Sequence, residues 1–217
     1  MELSPVQVRV LGCLLEKERA TPDNYPLTMN ALLNACNQTT NRNPVVSFNE
    51  PTVDSAISNL RAAGLVRVVY SRSNRAEKYR HVLDEALGAD DAELAVLSVL
   101  MVRGPQTSAE VRARTERLHP FADQAEVEAT LVRLAERPDP LVVRLPPAPG
   151  QKEARWAHLL AGEVAPDSAA SATAPARTPR TDRIEALESA LAALTQEVNR
   201  LRADHEALAA QLRELVE

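Results

Sequence analysis

Basic side chains are concentrated in one short stretch of this 217-residue chain. Five of them fall within fourteen residues, namely Arg67, Arg72, Arg75, Lys78 and Arg80. Glu77 is the one acid among them, so the stretch can neutralise phosphate groups of a nucleic acid. The same pattern is typical of an exposed β-hairpin edge that charge protects from aggregation. The sequence favours neither interpretation over the other.

A polar helix is predicted just before this stretch, from a cap at Ser47 or Asn49 to about Ala63. Apolar residues with helical spacing define its buried side, so the other side chains face outward. The outward set is Thr52, Ser55, Ser58, Asn59 and Arg61. Such groups can form hydrogen bonds with base edges. The candidate DNA-binding residues are this set together with Arg42, Arg72, Arg75 and Lys78.

The loop before this helix is dense in amides. Its candidate residues for a polar recognition surface are Asn34, Asn37, Gln38 and Asn41, with Arg42. Asparagine side chains in a loop also satisfy the backbone of the loop itself. Both interpretations stay open at this point.

Motifs for catalysis are absent. The chain has no G-x-S-x-G, no phosphate-binding loop and no H-E-x-x-H, and it contains only 6 glycines. Cys13 and Cys36 are the two cysteines, and their spacing suggests neither a zinc site nor a disulfide framework. We therefore expect no enzymatic activity, no cofactor and no metal.

Residues 1–83 and 84–161 are predicted to be two divergent copies of one unit. Each copy reads helix, helix, helix, strand, turn, strand, which is the order of a winged helix. The final strands match, so that Tyr79 corresponds to Trp156 and His81 to His158. We interpret the aromatic pair as core anchors and the histidines as a shared strand-end position. The predicted fold class is mainly α with small β-hairpin wings.

The end of the chain changes character twice. Residues 162–182 are rich in Ala, Pro, Ser and Thr and are predicted to be a linker. Residues 183–217 have a heptad pattern that predicts a coiled coil and a homodimer, although an amphipathic helix folded back on the rest is the alternative. The apolar heptad positions are Ile184, Leu187, Leu191, Leu194, Val198, Leu201, Leu208, Leu212 and Leu215.

Charge is distributed unevenly along the chain. The balance of Lys and Arg over Asp and Glu is +3 for residues 1–83, −5 for 84–163 and −3 for 164–217. A polyanion should therefore meet the first copy, whereas the second, with Glu126, Glu128 and Glu136 on its third helix, should meet a protein partner. We find no apolar stretch long enough for a membrane span and no basic leader, and expect a cytoplasmic protein.

Several strings in the first copy resemble the YceH-like family of uncharacterised bacterial proteins. They are Thr21-Pro22-Asp23 with Tyr25-Pro26-Leu27, Asn30-Ala31-Leu32, Asn34-Ala35-Cys36-Asn37-Gln38, and Asn41-Arg42 with Pro44-Val45. The resemblance covers roughly residues 2–161 and implies a tandem winged helix, with no activity assigned. Thr39 and Thr40 stand where a Lys or Arg is expected, which removes a possible phosphate contact from the loop.

Two hypotheses for function follow. In the first, the chain is a transcriptional regulator that contacts duplex DNA through the first winged helix. In the second, it is a protein-interaction module, for example of a chromosome-associated complex, without DNA readout. The acidic second copy and the heptads suit the second hypothesis, and the basic hairpin suits the first.

The hairpin hypothesis can be tested directly. Replacing Arg72 and Arg75 together by Ala should weaken binding to duplex DNA of any sequence, because phosphate contacts carry no sequence information. The slope of log affinity against log salt should also become shallower, by roughly one unit per lost contact. Unchanged affinity and slope in a fluorescence anisotropy titration would exclude the hairpin from the interface.

Overall fold

The computed structural model describes residues 2–71, 74–147 and 153–162. It is a mixed α/β structure with small antiparallel sheets. The helices are α1 (Pro5–Ala20), α2 (Met29–Cys36), α3 (Glu50–Ala62), α4 (Leu83–Leu87), α5 (Asp91–Arg103), α6 (Ser108–Thr115) and α7 (Gln124–Ala135). The strands are β1 (Leu27–Thr28), β2 (Val66–Ser71), β3 (Asn74–His81), β4 (Val142–Leu145) and β5 (Arg155–His158). The predicted coiled coil lies outside the described residues, as does all but the first residue of the linker.

Capping residues define where the helices begin. The side chains of Ser4, Asp90 and Thr107 each accept a hydrogen bond from the third residue of the following helix, whose own side chain reaches back to the cap. Ser4 is thus the cap of α1. Leu27 and Thr28 form β1, and the side chain of Thr28 then caps α2.

The two hairpins share a pairing pattern. In the first sheet β3 lies between β1 and β2, so that Tyr79 pairs with Leu27 on one side and Val68 on the other. In the second sheet β5 pairs with β4, and Trp156 forms a further bridge with Gln106. Tyr79 is 5% exposed and Trp156 is 4% exposed, which confirms the prediction that both are core anchors.

One continuous hydrophobic core joins residues 1–83 and 84–161. It includes Leu11 and Leu14 of α1, Leu97 and Leu100 of α5, and residues from both hairpins. The apolar faces of α1 and α5 bury each other, and each of these helices also packs on the other elements of its own half.

Gly12 is the point of close approach between α1 and α5. A Cβ atom at this position would lie 2.8 Å from Cγ1 of Val102 and 2.9 Å from Cβ of Met101. The hydroxyl of Ser98 donates to the carbonyl oxygen of Gly12 at 3.4 Å, and Arg19 pairs with Asp91 at 2.7 Å nearer the end of α1. The lack of a side chain at Gly12 therefore sets the distance between the two helices.

Replacing Gly12 by Ala should lower the free energy of unfolding. The overpacked methyl group should cost about 1–3 kcal/mol, which exceeds the gain of up to about 1 kcal/mol in helix propensity. Urea unfolding of the full chain measures the difference. The double variant Gly12→Ala/Val102→Ala should lose less than the sum of the two single variants, since Cγ1 of Val102 is removed. A Gly12→Ala protein as stable as the parent would contradict this account.

Candidate nucleic-acid interface

Helix α3 presents a polar face to solvent because its apolar residues are used in the core. Val53, Ala56, Ile57 and Leu60 are buried at helical spacing. Asn49 fixes the start of the helix, since its side chain accepts hydrogen bonds from the backbone and hydroxyl of Thr52. Of the predicted outward residues, Thr52 is half-buried, and the exposed ones are Ser55, Ser58, Asn59 and Arg61.

A groove separates the C-terminal half of α3 from strand β2. Ser58 and Arg61 line one wall, and Arg67 and Tyr70 line the other. Tyr70 is 73% exposed, which is unusual for a side chain of its size. The structure thus places a guanidinium from the helix and another from the strand at one cleft.

Glu77, the acid within the basic stretch, is engaged by two tyrosines. The hydroxyl of Tyr70 donates to Oε1 at 2.9 Å and that of Tyr79 donates to Oε2 at 3.2 Å. The hydrogen bond with the carboxylate raises the pKa of Tyr70. Burial and the same carboxylate raise the pKa of Tyr79. Both hydroxyls therefore stay protonated and serve as donors.

The described cations of the first hairpin, Arg67, Lys78 and Arg80, do not form one surface. Arg67 is bound by both oxygens of Glu85, at 3.0 and 2.7 Å, and Arg80 lies 4.0 Å from the same carboxylate. Lys78 is half-buried and lines a different groove, next to β1 and the end of α1. Arg72 and the side chain of Arg75 lie outside the described residues.

Arg42 is an interior residue, and the prediction that it contacts DNA is wrong. Its side chain has no exposed area and binds both oxygens of Glu16, at 3.1 and 2.5 Å. Nε also donates to the carbonyl of Ala35 at 2.9 Å. Burial disfavours the charge, but the carboxylate of Glu16 outweighs it, so the pKa of Arg42 is raised. A guanidinium that is buried and paired in this way cannot contact a DNA phosphate.

The amide-rich loop is braced from within. The side chain of Asn37 exchanges two hydrogen bonds of 2.8 Å with the backbone of Phe48. Asn41 has a positive φ of 62°, and its side chain accepts from Arg103 at the end of α5. For Asn37 the interpretation as a recognition residue is therefore corrected to a structural one. Asn34 and Asn41 are exposed and Gln38 is half-buried, so these three remain near the surface.

The third helix of the second copy differs from α3 in what its charges do. Glu126 accepts a hydrogen bond from the backbone of Ala122 at 2.7 Å, which uses its carboxylate locally. Arg133 lies 3.3 Å from Asp90 and 3.9 Å from Glu93. Glu128 faces a groove against the second hairpin. On α7, therefore, Arg133 is paired and the carboxylate of Glu128 lies at the groove. On α3 it is the guanidinium of Arg61 that lies at the groove.

The two matching histidines have unlike surroundings. Nε2 of His81 lies 2.6 Å from Glu18, and its Nδ1 accepts from the backbone of Leu83 at 3.2 Å. Nδ1 of His158 is buried and has no hydrogen-bond partner among the described residues. Burial lowers the pKa of His158 to about 4. Within residues 2–71, 74–147 and 153–162, no cluster of side chains could hold a metal ion.

Comparison with known proteins now decides the family. A family model described as protein of unknown function, DUF480, matches residues 3–151. The chain belongs to this family. The resemblance to a family of uncharacterised bacterial proteins is thereby confirmed.

Curated relatives of this DUF480 member are similar over most of their length. A UPF0502 protein of Geobacter sulfurreducens is 52% identical over 88% of this chain and 90% of its own. One of Pelobacter propionicus is 49% identical over 93% and 94%. A Burkholderia pseudomallei relative is 44% identical over 97% of this chain and 89% of its own. No helix in the described part is both long and apolar enough to cross a bilayer.

His158 should make stability depend on pH. In the unfolded chain His158 binds a proton below its ordinary pKa of about 6.5. In the folded chain its pKa is about 4, so it stays neutral between these two values. Stability is therefore lost as the pH falls through this window. The difference in unfolding free energy between the parent and His158→Gln should change by about 2 kcal/mol between about pH 7 and about pH 5. Parallel pH profiles would show that His158 titrates normally.

Proposed function

We propose that this protein binds duplex DNA through residues 1–83, folded as a winged helix, and acts as a transcriptional regulator in the bacterial cytoplasm. The order α1, β1, α2, α3, β2, β3 with β3 central in the sheet supports the winged-helix assignment. Helix α3 would then be the recognition helix in the major groove. Residues 84–161 would be a second winged helix.

The observation that carries this proposal is the exposed polar row on α3 beside the β2 groove. Asn59 can bind adenine through two hydrogen bonds, Arg61 can bind guanine in the same way, and Ser55 and Ser58 suit either. Glu50 and Asp54 are the exposed acids of α3, two carboxylates against the guanidinium of Arg61. Tyr70 offers a flat, exposed surface at the far wall of the groove.

The ion pair of Arg67 does not prevent a phosphate contact. Arg67 and Glu85 are both more than half exposed, and such pairs contribute about 0–1 kcal/mol. Exchange of the carboxylate for a phosphate therefore costs little. Arg61 has no hydrogen bond or ion pair within the described ranges, so its charge is directly available. Pairing of two chains through the heptads of residues 183–217 would supply two half-sites.

One observation favours the alternative of a protein-interaction module without DNA readout. Glu85 reduces the positive charge of the first hairpin, and the whole chain carries a net charge of −5. A weak electrostatic term would leave little non-specific affinity for DNA. The alternative and the DNA proposal therefore differ in the affinity that they predict for random-sequence duplex DNA.

A charge-matched pair of variants tests DNA binding. Arg61→Ala should weaken binding to random-sequence duplex DNA and reduce the salt slope by about one, because it removes one cation from the interface. Arg117→Ala removes the same charge from an exposed site in the second copy and should leave both quantities unchanged. Fluorescence anisotropy over a series of salt concentrations gives both readouts. Equal behaviour of the two variants, or no binding by the parent at low salt, would favour the alternative.

A further inference from the structure

A groove of about 920 Å³ runs between the β4–β5 hairpin and the N-terminal turns of α6 and α7. Its apolar lining includes Ala125, Leu145, Pro147 and Trp156. A cleft of this size that combines apolar and charged side chains is typical of a binding site.

Carboxylates dominate the charge of this groove. Glu128 on α7 and Glu153 before β5 both line it, and neither has an ion pair or hydrogen bond in the described part of the chain. Among the described residues that line the groove, Arg144 is the cation, and it lies over the ring of Trp156 at 6.0 Å. Two unpaired carboxylates remain beside an apolar floor.

This chemistry excludes a phosphate backbone and favours a basic ligand. Phosphate groups would be repelled by Glu128 and Glu153, with no further cation lining the groove in the described ranges. A peptide carrying Lys or Arg would instead be attracted to the carboxylates. An apolar side chain between its basic residues would cover Ala125 and Leu145. Charge complementarity of this kind selects a partner more than it strengthens binding.

We propose that this groove binds a segment of a partner protein in which Lys or Arg residues flank an apolar side chain. The apolar side chain packs on the floor formed by Ala125, Leu145 and Trp156. The basic residues pair with Glu128 and Glu153. This site is independent of DNA binding by the first copy, since it uses another face of another repeat.

Peptide selection on the full chain tests the site. Phage-displayed random peptides are selected on the immobilised protein, and the recovered sequences are synthesised and their affinities measured. They should be enriched in Lys or Arg beside an apolar residue. Ala125→Arg, which fills the groove and adds a positive charge, should weaken their binding by at least roughly tenfold.

Ala113→Arg is the matched control. Ala113 and Ala125 are both exposed alanines on helices of the second copy, but Ala113 does not line the groove. The control should bind the peptides as the parent does, and thermal unfolding should show both variants folded. Glu128→Gln/Glu153→Gln should lower the affinity and its dependence on salt.

Four results would overturn the proposal. They are no enrichment of peptides, enrichment without basic residues, equal binding by Ala125→Arg and Ala113→Arg, and a change in oligomeric state confined to Ala125→Arg. The last result would assign the groove to a second copy of this chain. DNA binding measured on the same variants separates this outcome from failure of the DNA proposal. Ala125→Arg should bind DNA no more weakly than Ala113→Arg. A loss of DNA binding in Ala125→Arg alone would indicate that DNA, and not a peptide, binds in this groove.

Discussion

The direct contact between α1 and α5 is the constraint on which the rest of the structure depends. Helix α1 also packs on α2, α3 and β3, whereas α5 packs on α6, α7 and β5. Gly12 lets the two helices approach until Val102 and Met101 touch the backbone of α1. Both polar faces, on α3 and on α7, are therefore held by one core, and a shift at Gly12 would be transmitted to each of them.

Buried guanidiniums extend this constraint to the start of α3. Arg42 donates to the carbonyl of Ala35, and Arg9 donates to that of Cys36 at 3.2 Å, so both satisfy the last turn of α2. Arg9 also holds the carbonyl of Pro44 at 2.7 Å. The short helix α2 has no glycine terminator, and the two arginines take over that role. The loop that follows is fixed at both ends, which sets where α3 can begin.

Local features of the structure could be predicted from sequence, and distant pairings could not. The caps at Ser4 and Asn49 act within three residues, so a short window of sequence contains all the information. Glu16 and Arg42 are 26 residues apart, and nothing near Arg42 indicates that its charge is already used. Glu85 is similar, because it lies beyond the predicted end of the first copy and yet binds Arg67 on β2. Interactions of this type depend on the tertiary arrangement, which the pattern of residues leaves open.

The two hairpins carry different surfaces. Tyr79 and Trp156 hold the same position between neighbouring strands, and each anchors its hairpin in the core. The groove beside each hairpin is nevertheless lined differently, by Arg61 and Arg67 in the first copy and by Glu128 and Glu153 in the second. Opposite charge cannot suit the same polyanion at both sites. Because the fold itself does not determine the ligand, the function of each copy has to be inferred from these few side chains.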